Sequence, residues 1–113
     1  MEYNLTNDAD YLLSVLYKNY KERRKNGENK SDAKFMGSSE HIFMTLLSEW
    51  TFDDVDETCR ELDRAGMLQC LYADDVVVDA FLEDAAIIYM ENRFKNGLSE
   101  VLDNIARLKG ILF

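Results

Sequence analysis

The spacing of apolar residues predicts a mainly α-helical domain carrying one small β-hairpin. Five segments place apolar side chains at the three-and-four spacing of a helical face. After Gly66 two short runs rich in β-branched and aromatic residues change to strand character. The chain has no proline, so Gly and Asn mark its breaks. A length of 113 residues suits one domain spanning 1–113, and a hydrophobic fraction of 47% with 12% aromatics is enough for a packed core.

The first helix is expected over 9–25, capped by Asn7 or Asp8, because Leu12, Val15, Leu16, Asn19 and Tyr20 share one face and Leu13 and Tyr17 widen it. Asn26-Gly27 stops it, and the stretch to Gly37-Ser38-Ser39 reads as a polar, mobile connector. Ile42, Phe43, Leu46 and Leu47 give a second helix over 40–50, capped by Ser38 or Ser39. In the third, Thr51 and Asp54 make a near relative of a capping box. Phe52, Val55, Cys59 and Leu62 form the apolar stripe, and Ala65-Gly66 the exit. "MLQCLY" and "VVVDAFL", joined by Ala73-Asp74-Asp75, are the two strands of a hairpin. A fourth helix follows through Ile87, Met90 and Phe94. After Asn96-Gly97 a fifth aligns Leu98, Val101, Leu102, Ile105 and Leu108.

Twenty-two acids against thirteen Lys and Arg give a formal charge of −9, which opposes non-specific attraction to phosphate backbones and anionic membranes. No uncharged apolar run approaches the roughly 18 residues of a membrane span. The start "MEYNLTNDAD" lacks the cationic stretch of an export signal, and Cys59 and Cys70 have no CxxC or zinc spacing, so a reducing, cytoplasmic setting is expected.

Helix, helix, helix, hairpin, helix is an order that resembles a winged helix-turn-helix domain. "DVDETCRELDRAGMLQ" is similar to the third helix and exit of that family. "FLEDAAIIYMENRF" resembles its passage from the last wing strand into a helix, with Leu82, Ile87, Tyr89 and Met90 in matching places. Glu83 and Ala86 stand where threonine and glycine are usual. The resemblance covers 9–94 and leaves 98–113 as an added C-terminal helix. In overall wording the chain is also similar to small proteins of Gram-positive bacteria and their phages or mobile elements. In DNA-binding members of the family the third helix enters the major groove and the wing meets the backbone. Here that helix and its flank carry seven carboxylates (Glu49, Asp53, Asp54, Asp56, Glu57, Glu61, Asp63) against Arg60 alone, and the hairpin adds Asp74, Asp75, Asp79, Glu83 and Asp84 with no base. Such a face repels phosphates.

Three features are therefore candidates, each with a plain reading beside the functional one. The acidic surface is either a solvated face or an interaction surface for a protein with a basic surface, imitating the charge of DNA. On that reading Asp53, Asp56, Glu57, Arg60, Asp74 and Asp75 are presented to the partner, and an exposed Trp50 or Phe52 would add contact energy. The basic segment over 18–34 either complements the dipole of the first helix or contacts DNA or RNA through Lys21, Arg23, Arg24, Lys25, Lys30 and Lys34, as a transcription regulator would. The last helix and "GILF" either pair two copies in a dimer or pack back onto the first helix. For catalysis a base, a nucleophile or a metal must lie in mutual reach. His41 is the only histidine, both cysteines read as small hydrophobes, and no phosphate-loop, dinucleotide, zinc-protease, calcium-loop or nucleophile-elbow motif occurs. The expectation is a non-catalytic binding or regulatory module without metal or cofactor.

Overall fold

The computed structural model describes residues 4–113, which form six helices and a three-stranded antiparallel sheet. Helix α1 (Asn7–Lys25) is its spine: Leu12, Leu13 and Leu16 are fully buried, with Tyr17 and Tyr20 beside them. Its cap is Thr6, one residue before the expected Asn7 or Asp8. The Thr6 hydroxyl oxygen accepts from the Ala9 N–H at 3.1 Å, so Asn7 and Asp8 belong to the first turn.

The stretch after α1, expected to be a mobile connector, is ordered structure. It holds a short helix α2 (Lys30–Lys34) and a strand β1 (Phe35–Gly37). Asn29 caps α2 by accepting from the Asp32 N–H at 2.8 Å, and Ala33 and Met36 are buried as anchors. Arg23 holds the segment from the α1 side, donating to the carbonyls of Asp32 at 2.6 Å and Phe35 at 2.7 Å. So few apolar residues in a polar stretch show no period, which is why the sequence concealed these two elements.

Helix α3 (Ser39–Leu46) is capped by Ser38, whose hydroxyl accepts from the His41 N–H at 3.0 Å. It ends at Leu46 and not near Trp50, because the backbone at Leu47 leaves the helical region to bury its own side chain. Gly37, at φ +81°, turns the chain from β1 into α3. A Cβ there would come within 3.0 Å of the His41 ring. Helix α4 (Phe52–Arg64) begins as expected, with the Thr51 hydroxyl accepting from the Asp54 N–H at 3.1 Å. It ends at Gly66 in the left-handed conformation, with the Met67 N–H donating to the Leu62 carbonyl at 2.9 Å, the six-to-one bond of a Schellman exit.

Strands β2 (Leu68–Ala73) and β3 (Val76–Leu82) form the expected hairpin. Asp74 and Asp75 both have positive φ, 52° and 64°, the mark of a type I′ turn. The pairing Leu71↔Asp79 is followed by Tyr72↔Val77, so Val78 is the extra residue of a bulge. The hairpin is not a two-stranded ribbon, since β1 adds to β3 and gives the order β1-β3-β2. Leu68, Cys70, Val77, Ala80 and Leu82 bury one face of this sheet against the helices.

Helix α5 (Asp84–Arg93) buries Ala86, Ile87 and Met90, and α6 (Leu98–Leu112) packs along α1 through Val101, Asn104 and Leu108. A polar cluster ties these three helices together. Arg93 makes a fork to Asp10 at 2.7 and 2.9 Å, and its second arm reaches Asn104 at 3.2 Å. The Asn104 amide in turn donates to the Ser14 hydroxyl at 3.0 Å. The Phe113 ring lies edge-on to Tyr11 at 5.8 Å and close to Trp50. Trp50 stacks on Tyr11, and Phe52 sits against Phe43, so both are half-buried rather than exposed. No helix among the described residues is long and apolar enough to cross a membrane.

Replacing Arg93 by Met removes the fork and leaves the mostly buried Asp10 carboxylate short of partners. A loss of about 2 kcal/mol is expected, since breaking one side of such a pair costs more than the pair gains. Urea unfolding followed by far-UV circular dichroism measures it.

Candidate functional site

Helix α4 divides into four strips. Val55, Cys59 and Leu62 face the core and are fully buried. Glu61 turns toward the start of α1, where it accepts from the Thr6 N–H at 3.2 Å and the Thr6 hydroxyl at 2.9 Å. Asp56, Arg60 and Asp63 face the hairpin. Asp53, Asp54, Glu57 and Arg64 remain exposed.

The strip beside the hairpin holds two of the residues expected to face outward, and both are turned inward. Asp56 is 8% exposed, and its side chain ties elements of the fold together. One carboxylate oxygen accepts from the Ser39 hydroxyl at 2.7 Å and from the Val77 N–H at 3.0 Å, and the other accepts from Arg60 Nε at 2.9 Å. Burial pushes the Asp56 carboxyl up, but the Val77 N–H, the Ser39 hydroxyl and the Arg60 guanidinium together outweigh it and hold the group below the usual aspartate range. Arg60, expected to face outward, is turned in as well. Its other arm donates to the Asp75 carbonyl in the turn, and its guanidinium lies over the Tyr72 ring, 4.9 Å from the centroid. The Tyr72 hydroxyl donates to Asp63, closing the seam between α4 and β2.

Ser39 and Tyr72 are the contributors that sequence reasoning missed. Each side chain reaches Asp56 or its partner Arg60 only across the fold, so no local spacing could have marked it. With Asp56, Asp63 and Arg60 engaged, the outward charge of the surface is carried by Asp53, Asp54, Glu57, Asp74 and Asp75. Glu57 has one exposed ion pair, with Arg64 at 3.3 Å.

The basic segment divides in the same way. Arg23 is enclosed by Glu28 and the two backbone carbonyls described above, and it holds the Glu28 carboxyl below its ordinary range. Lys34 pairs with Asp84 at 3.0 Å, and Lys30 approaches the same carboxylate at 3.8 Å. Lys21, Arg24 and Lys25 stay at the surface and line a groove of about 660 Å³ with Gly27, Asn29 and Leu98. A second groove, of about 550 Å³, lies between α1, β1, α3 and β3. Asn19, Met36, Leu46 and Asp79 line it, and the exposed His41 stands at its edge.

Cys59 and Cys70 are both buried, with the Cys70 thiol donating toward the Cys59 carbonyl at 3.8 Å. Burial, and to a lesser degree the Asp63 carboxylate, pushes the Cys70 thiol up to about 12, and burial raises Cys59 further. Both behave as small hydrophobes. Among the described residues no three His, Cys, Asp or Glu side chains are grouped so as to hold a metal ion.

Compared with known proteins, the chain matches no protein-family model, no curated protein and no solved structure.

Two outcomes follow from this geometry. Asp56→Ala strands the Ser39 hydroxyl and the Val77 N–H and should cost about 3 kcal/mol at neutral pH, with Asp56→Asn intermediate. Because the folded-state carboxyl is lowered, its contribution is present above the unfolded aspartate range and lost as pH falls through the folded value. The gap between wild type and Asp56→Asn in urea midpoint should therefore narrow below about pH 4. A gap that widened toward acid would contradict the assignment. Neither thiol should react with iodoacetamide at about pH 8 in the folded protein, while both react in denaturant, as mass spectrometry would read.

Proposed function

We propose that the chain is a winged helix-turn-helix domain acting as a non-catalytic binding or regulatory module, and that the outer surface of α4 with the hairpin tip binds a protein presenting a basic surface. The winged-helix reading is supported by the order α1, β1, α3, α4, β2, β3, with the short α2 lying between α1 and β1, and by the strand arrangement β1-β3-β2. The binding reading rests on one observation. Arg60, the base that would offset the acids in the middle of α4, is drawn into Asp56, Asp75 and Tyr72, so Asp53, Asp54, Glu57, Asp74 and Asp75 stand outward.

A helix so arranged is unsuited to the major groove, where each unneutralised carboxylate opposes a phosphate. It suits a cationic protein surface, whose approach such a field accelerates and orients. The resulting surface carries the charge, though not the base edges, of a duplex. The partner is a different protein: pairing of two copies through α6 would rest on Leu102, Ile111 and Phe113, since Val101 and Leu108 are already buried within the chain.

The test is a pair of baits, wild type and an Asp53→Asn, Glu57→Gln, Asp74→Asn variant, compared by quantitative mass spectrometry and then by titration of the captured protein. Exposed ion pairs contribute up to about 1 kcal/mol each, so affinity should fall by about tenfold or more at low salt. Equal capture and equal affinity by the two baits would sink the proposal.

A further inference from the structure

The groove at the C-terminal end of α1 has an excess of positive charge that nothing around it balances. Glu28 is the one carboxylate on its wall, and that group is held by the Arg23 fork at 2.9 to 3.1 Å on the far side. Lys21 and Lys25 have no hydrogen-bond or ion-pair partner among the described residues. Arg24 gives one arm to the neutral Glu28 carbonyl at 3.1 Å and keeps its full charge. It also borders a separate, smaller groove of about 300 Å³, where Lys30 lies with Asp84 and Glu91 and so adds no net positive charge. Three uncompensated cations therefore converge on one concave strip of a chain whose net charge is −9.

We propose that this strip grips the phosphodiester backbone of a nucleic acid. Guanidinium and ammonium groups side by side match successive phosphates. The lining of the groove has no aromatic ring on which an unstacked base could rest, so the contact reads charge and not sequence. The acidic surface does not veto it. No residue of α4 or of the hairpin lines the groove, whose three cations stand on the last turns of α1. The site lies outside α4 and stands or falls independently of the protein-binding proposal.

Fluorescence anisotropy with a labelled random duplex of about 20 base pairs provides the test, run between about 50 and 200 mM salt. Three phosphate contacts should give a slope of about −2.7 in log K against log salt, a loss of about 40-fold over that range. Lys21→Gln, Arg24→Gln, Lys25→Gln should abolish binding, and the Lys21→Gln, Lys25→Gln pair, which leaves the Arg24 bond intact, should weaken it. Lys109→Gln should leave it unchanged. Tripolyphosphate should compete with the duplex. Absence of duplex binding by wild type at the lowest salt, equal binding by the triple variant, or tripolyphosphate binding without duplex binding would each overturn the proposal.

Discussion

A carboxylate buried where α3, α4 and β3 meet must be matched on every side, and the fold is arranged around that need at Asp56. The Ser39 hydroxyl, the Val77 N–H and the Arg60 guanidinium each come from a different element or turn of helix. Together they fix the angle between α3 and α4 and the height of the hairpin beside them. Removing a charge from water is repaid only when its lone pairs are all used, so this carboxylate tolerates one arrangement of its neighbours where an apolar contact would tolerate several. The arrangement also sets the electrostatics of the surface, because the same interaction that satisfies Asp56 withdraws Arg60 from solvent.

A second buried polar knot, at the other side of α1, complements the first. Asp10, Ser14, Arg93 and Asn104 hold α5 and α6 against the spine, while the core of leucines and methionines between the two knots supplies the non-directional part of the stability. Every buried side-chain nitrogen or oxygen among the described residues has a partner. Of the charges left over, Asp53, Asp54 and Glu57 stand on α4, Asp74 and Asp75 at the hairpin tip, and Lys21, Arg24 and Lys25 on the last turns of α1.

Much of this architecture was legible in the sequence, for reasons that can be named. The stripes of α1, α4 and α6 are long enough for a 3.6-residue period to show, and Thr51, Ser38 and Gly66 act locally, so their caps and exits could be read directly. What escaped was whatever depends on distance. Phe35 joins a sheet because Phe81, forty-six positions later, lies opposite it, and a three-residue strand has no period to betray it. Asp56 was expected among the residues presented to a partner, and hence in solvent, because its helix shows no neighbour that would cover it. The hairpin that buries it folds over from beyond Gly66, outside the reach of any projection. The basic segment looked uniform for the same reason, since only the fold reveals that Arg23 and Lys34 are committed and Lys21 and Lys25 are not.

The tip of the hairpin holds two aspartates in the left-handed region, where side chains other than glycine lose on the order of 1 kcal/mol each. Glycine would sit there more comfortably, and the Asp75 carboxylate lies 3.8 Å from the Arg60 guanidinium. The loop is therefore held under tension by the ladder behind it and by the hold of Arg60 on the Asp75 carbonyl. Arg60 thus serves the buried Asp56 and the strained tip at once, so losing it would loosen both ends of that seam together.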